Sequence, residues 1–169
     1  MSTIEARRDP TLAPVRVHDG FERDFPDGER SATEVLLNLT LAGVVALNRV
    51  DELLAPYGLV LKAFNVLAVV DGDPEPLTPT VIGERTLVAK SSVTSILDSL
   101  ERLGMVRRRP HPINRRSILV ETTERGRSTC AEVLHRLHTR EAEWLAGMPE
   151  PRRQSLIRLL GEVKGLLNT

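Results

Sequence analysis

Apolar positions recur at helical spacing through most of the 169-residue chain. "SATEVLLNLTLAGVVALNRVDELLAPYG" predicts one long helix from Ser31, stopped by Pro56 and Gly58. Ser31 and Glu34 have the spacing of a capping box at its start. Its apolar positions (35, 36, 37, 39, 41, 44, 45, 47, 50, 53 and 54) cover most of the circumference. A helix apolar nearly all round is buried on more than one side, so in so small a chain part of it is expected to meet a second subunit. "KAFNVLAVVDG" predicts a short second helix ended by Asp71-Gly72. Two more follow, broken near Thr86 to Val88: a short one over about Thr80 to Arg85, then one with an apolar stripe of Val93, Ile96, Leu97, Leu100 and Leu103. Gly104 stands where a helix C-cap belongs.

The period then changes. "MVRRR" and "SILVET" are β-prone runs separated by "PHPINR", whose Pro110, Pro112 and Asn114 are turn formers, so a hairpin is expected. The chain closes with two helices, "TERGRSTCAEVLHRLHTREAEWLAGM" and "PEPRRQSLIRLLGEVKGLLN". Leu156, Leu159, Leu160, Val163, Leu166 and Leu167 form the stripe of the second. Residues 1–30 carry Pro, Gly and mixed charge without periodicity and read as an extended or partly disordered arm. The fold class is therefore mainly α with a small β-hairpin, a winged helix-turn-helix over 59–122 flanked by helices on both sides.

Charge sharpens this picture. The formal net charge is zero, yet from Arg85 to Arg127 ten Arg or Lys stand against four acids, while the first 34 residues hold eight acids against five arginines. A neutral total thus hides a basic segment, the electrostatic footprint of a nucleic-acid partner. A recognition helix needs short hydrogen-bonding side chains to enter the major groove. Lys90, Ser91, Ser92, Thr94 and Ser95 supply them opposite Val93, Ile96 and Leu97. Arg107 and Arg109 alternate with Arg108 on the first strand and suit phosphate contacts, and the hairpin tip Asn114-Arg115-Arg116 suits the adjacent minor groove. Double-stranded DNA is the expected partner.

The segments "FNVLAVV", "LVAKSSVTSILDSLERLGMVRR" and "HPINRRSILVETTERG", with the closing helices, resemble the MarR family of bacterial transcriptional regulators over roughly residues 33 to 167. Val93-Thr94, Asp98, Leu100-Glu101, Gly104 and Val106 keep the family's helix pattern, and Pro112, Arg115, Arg116, Thr123 and Gly126 keep its wing. His111 and Asn114 stand where the family commonly has aspartates; the second usually orients the wing arginine matched by Arg116, a role left to uncharged Asn114. The resemblance implies a homodimer built from the helix 31–58 and the helices of 123–169. It also implies a small-molecule effector between that region and the DNA-binding lobe. Tyr57 and Phe64, near the junction of the first two helices, are candidates to line a ligand pocket, with plain packing the ordinary reading.

Other readings are weaker. Winged helices also serve as protein-interaction modules, which a basic wing disfavours. Cys130 invites a redox-sensor reading and His135 with His138 a metal-sensor reading, but a buried structural thiol and plain surface histidines are the ordinary alternatives. No metal site or cofactor is expected. With no phosphate loop, nucleophile elbow or carboxylate pair, nothing points to an enzyme. A single cysteine suits a reducing cytosol. No apolar run comes near the roughly 20 residues a membrane helix needs, so no membrane partner is expected.

Overall fold

The computed structural model describes residues 13–86, 88–113 and 117–168, which divide into two compact units between Glu52 and Leu53. The first unit contains a short helix α1 (Phe21–Asp24) and most of the long helix α2 (Arg30–Leu54). From residue 13 onward the N-terminal segment is held to α2. The Val15 N–H donates to Asn38 Oδ1 at 2.8 Å, and the Val15 carbonyl accepts from Asn38 Nδ2 at 2.9 Å. The Asn38 amide thereby stands in for a strand partner. One turn earlier, Glu34 accepts from Arg16 Nη1 at 2.6 Å and from the Val17 N–H at 3.1 Å. Arg30 donates twice to Glu22, at 2.7 and 2.8 Å, and Phe21 is buried beside Phe25. Such a polar clasp has no periodicity, which is why the pattern of apolar positions does not reveal it.

The clasp also displaces the expected cap. Thr33 N–H donates to the Glu29 carbonyl, so α2 starts at Arg30 with Glu29 before it, and Ser31 gives its hydroxyl to the Glu29 carboxylate instead. Glu34, the expected capping-box partner, is taken by Arg16 and Val17, a charge-assisted pairing stronger than a neutral cap.

Glu34 is only 8% exposed, but the Arg16 hydrogen bond holds its carboxyl below the usual range against the opposing effect of burial. Hydrogen bonding from Arg30 lowers Glu22 to about 2. Groups depressed on folding stabilise above their unfolded pKa, about 4.3 for glutamate, and that contribution is lost as pH falls through the folded value. Acidification from about pH 4 toward 2 is therefore expected to loosen the clasp progressively. Two-dimensional NMR would then show the Val15 and Val17 amides moving to random-coil shifts, whereas unmoved amides at the Glu22 midpoint of about 2 would contradict the assignment.

Every residue from Thr40 to Arg49 is exposed, including Leu41, Val44, Val45 and Leu47. The segment Arg30–Tyr57 is long and apolar enough to cross a membrane by length and composition. This corrects the sequence reading. Asn38, Thr40 and Asn48 interrupt a contiguous run, yet being uncharged they leave the mean hydropathy high. The same composition suits a helix enclosed by a second subunit.

The second unit begins with a 3-10 turn, Ala55–Tyr57, ended by Gly58 at φ +69°. Helices α3 (Leu61–Asp71), α4 (Pro79–Arg85) and α5 (Lys90–Arg102) follow, with α3 at the centre against α4, α5, α6 (Glu124–Trp144) and strand β2 (Ile118–Thr122). Thr78 caps α4 and Pro79 opens it, the fixed φ of proline suiting the first turn. Gly104, at φ +70°, closes α5 in a Schellman arrangement, with Met105 N–H to the Leu100 carbonyl and Gly104 N–H to the Glu101 carbonyl, each 2.9 Å.

The core gathers Leu54, Val66, Leu67, Ile82, Leu97, Leu100, Met105 and Val120. Strand β1 (Val106–Pro110) pairs antiparallel with β2 in the register Val106↔Thr122 and Arg108↔Val120. Leu77 adds a one-residue bridge to the outer edge of β2. Thr123 then starts α6: its hydroxyl donates to the Gly104 carbonyl at 2.6 Å and accepts from the Gly126 N–H at 3.1 Å. Helix α7 (Glu150–Leu167) buries no residue within the single chain, and Ile157, Leu159 and Leu166 are all more than half exposed.

Candidate nucleic-acid interface

Helix α5 is amphipathic along its whole length. Val93, Leu97 and Leu100 are buried, which turns Ser91, Thr94 and Ser95 outward, with Ser92 half-buried. Ser95 donates its hydroxyl to the Ser92 carbonyl at 2.9 Å, leaving the oxygen's lone pairs facing solvent. Lys90 opens the helix, but its side chain lies outside the described residues.

The alternation in β1 sorts its three arginines. Arg107 and Arg109 share a face and flank Glu121, at 2.7 and 3.6 Å. Both remain exposed, and an exposed ion pair is worth only about 0–1 kcal/mol, so an incoming phosphate competes for them readily. Arg108 takes the opposite face and turns to α5. Beyond the strand, the Ile113 N–H donates to His111 Nδ1 at 3.2 Å, and Ile113 stands out into solvent. Asn114, Arg115 and Arg116, expected at the tip, lie outside the described residues.

Neither Tyr57 nor Phe64 lines the cavities found beside Asn65 and beside Asp73. Phe64 is 3% exposed in the core. Tyr57 donates to Glu132 at 2.6 Å, accepts from Arg136 at 2.8 Å and lies under that guanidinium. An open cavity of about 310 Å³ lies instead beside Asn65, Ala68, Val69, Arg85 and Thr86. A polar cleft of about 140 Å³ includes Asp73, Arg107, Glu121 and Arg127 among its lining residues. Arg85 is ion-paired with Asp73 there.

Cys130 is buried. Burial pushes its thiol up to about 11, reinforced by the negative charge of Asp71, so it is protonated and a poor nucleophile at neutral pH. His135 and His138 are exposed, and no cluster of three or more metal-ligating side chains occurs among the described residues.

A pair of helices, the second with an outward hydroxyl face, followed by an arginine-bearing antiparallel hairpin, defines a winged helix-turn-helix protein. A MarR family profile matches residues 57–117. The transcriptional regulator PecS of Dickeya dadantii is 29% identical over 151 residues, covering 88% of this chain and 91% of PecS. The transcriptional repressor YetL of Bacillus subtilis is 26% identical over 114 residues, 67% of this chain and 68% of YetL. Among solved structures, the repressor CouR bound to a 23-mer DNA duplex aligns with a TM-score of 0.67 and 26% identity, over 75% of this chain and 89% of that one. CouR from Rhodococcus jostii RHA1 bound to p-coumaroyl-CoA aligns with a TM-score of 0.61 and 22% identity, over 74% and 87%. Over residues 57–117 the chain thus matches the MarR family, and over most of its length it is similar to transcriptional regulators, a non-enzymatic class.

Proposed function

We propose that the protein is a homodimeric repressor that binds a pseudo-palindromic operator and is released by a small-molecule effector. The observation carrying this reading is the outward hydroxyl face of α5 beside a hairpin whose exposed Arg107 and Arg109 are free to exchange Glu121 for phosphate. Ser91, Ser92, Thr94 and Ser95, with Lys90, read base edges in the major groove. Arg107 and Arg109 hold the backbone, and Asn114, Arg115 and Arg116 reach the minor groove. Two copies of α5 enter successive major grooves about 10 bp apart. The exposed apolar surfaces of α2 and α7 support the homodimer, and the similarity to transcriptional regulators supports a cytoplasmic location. The repressor role is supported by the description of YetL, and an effector by the ligand of CouR. If effector binding weakens DNA affinity 100-fold, the coupling is about 2.7 kcal/mol, within reach of one small molecule.

Fluorescence anisotropy with a duplex selected from a random pool, beside a scrambled duplex at two salt concentrations, tests the reading. Selective binding that weakens steeply with salt is expected. Arg116→Ala should lower affinity by about 1–3 kcal/mol without dissociating the dimer. A folded dimer that binds no duplex would leave a protein-interaction module instead. The protonated, buried Cys130 disfavours a redox sensor.

A further inference from the structure

We propose that Arg108 is a positioning residue: it fixes the wing to the recognition helix and so sets sequence selectivity, without itself touching DNA. The inference rests on the DNA-binding reading above. Arg108 sits at the middle of β1, between two arginines that face the other way. Its Nη1 donates to Asp98 Oδ1 at 2.6 Å and to Glu101 Oε2 at 3.3 Å, and its Nη2 donates to the Thr94 carbonyl at 3.3 Å. Its own backbone N–H donates to Glu101 Oε1 at 3.1 Å, so that one carboxylate grips both ends of the residue. Positions 94, 98 and 101 are spaced by four and three and lie along one face of α5. A single guanidinium therefore joins the strand to two turns of the helix.

Two details separate this arginine from its neighbours. Its side chain is 23% exposed, against 70% for Arg107, and its Nε is buried with no hydrogen-bond partner. A guanidinium committed to two carboxylates and a carbonyl is already neutralised and is not available to a phosphate. In addition, the tie ends on Thr94, whose side chain is on the outward face of α5. Movement of β1 relative to α5 would alter the distance between the base-reading hydroxyls and the wing, the two features that must reach neighbouring grooves together. A planar, forked donor suits three acceptors at fixed positions; the point charge of a lysine does not.

The test compares Arg108→Met, which keeps the packing of the stem, with Arg107→Ala, on the duplex selected by the wild-type protein and on a scrambled duplex over a range of salt. Arg107→Ala should weaken both duplexes alike and lower the salt slope by about one. Arg108→Met should reduce the preference for the selected duplex about tenfold, roughly the worth of one base contact, at an unchanged salt slope. Circular dichroism and sedimentation check that the dimer is intact. Should Arg108→Met fail to fold, Glu101→Gln keeps an acceptor but removes its charge and is expected to erode selectivity in the same direction. A salt slope reduced by one with selectivity preserved would make Arg108 a phosphate contact and overturn the proposal, as would unchanged selectivity. Absence of selective binding by the wild type would instead remove the DNA-binding reading itself.

Discussion

Gly126→Ala is expected to destabilise the DNA-binding lobe by about 3 kcal/mol or more, among the costliest single-methyl changes available to the chain. A Cβ at residue 126 would stand 2.0 Å from the Met105 carbonyl oxygen and 3.1 Å from the Thr122 methyl. The obstacle is backbone, not the movable end of a side chain. That carbonyl is fixed because the Thr123 N–H donates to it at 3.0 Å, while the Thr123 hydroxyl ties Gly104 to Gly126. Relief requires α6 to lift from the junction between α5 and β1, breaking several bonds at once. Gly104 provides the comparison: it has a left-handed φ of +70°, yet the nearest atom to a Cβ there is 3.9 Å away. Gly104→Ala has room and costs only the backbone preference, about 1–2 kcal/mol. Urea or thermal denaturation should therefore rank Gly126→Ala well below Gly104→Ala. The reverse order would mean that the α6 junction is looser than its hydrogen bonds indicate.

The second large effect is expected from aspartates on the uncovered apolar surfaces. Val45 on α2 is 61% exposed and Leu159 on α7 is 57% exposed in the single chain. A charge at either position therefore disturbs nothing inside one copy. If a second copy covers them, each dimer must bury two unpaired carboxylates, a cost of several kcal/mol apiece. Val45→Asp and Leu159→Asp are expected to sediment as monomers while keeping the circular dichroism of the DNA-binding lobe. Loss of the second half-site contact should then weaken operator binding by about 100-fold or more. A Val45→Asp protein that remains dimeric and binds its operator would exclude α2 from the interface and would reopen the question of what covers its apolar surface.

Much of the lobe was readable before the structure because its elements obey short-range rules. Of the stripe Val93, Ile96, Leu97, Leu100 and Leu103, the structure buries Val93, Leu97 and Leu100 and half-buries Ile96 and Leu103, and Gly104 takes the left-handed conformation its place after that stripe requires. The alternation Arg107, Arg108, Arg109 placed one arginine opposite the other two. Contacts over long sequence separations were not readable. Nothing local announces that Asn38 will pair with the backbone of Val15, or that Glu34 will prefer Arg16 to Ser31. The role of Arg108 was equally hidden, since in sequence it is one arginine of three. The only available signal was the spacing of Thr94, Asp98 and Glu101 on the face of α5 nearest the strand. Tyr57 and Phe64 lie near one helix junction in the sequence, yet Tyr57 is bound to α6 and Phe64 is enclosed in the core.

The wing hairpin also bears on how this protein avoids sticking to itself. A two-stranded sheet has two outer edges, and each is a template for another chain. On β1 the mid-strand N–H of Arg108 is occupied by the Glu101 carboxylate. On β2 both backbone groups of Val120 are occupied by Leu77, at 2.9 and 2.8 Å. A carboxylate and a single borrowed residue thus close both ladders near their centres. Pairing with a further strand is thereby disfavoured at the hairpin without lengthening the sheet, and Arg107 and Arg109 stay open to solvent.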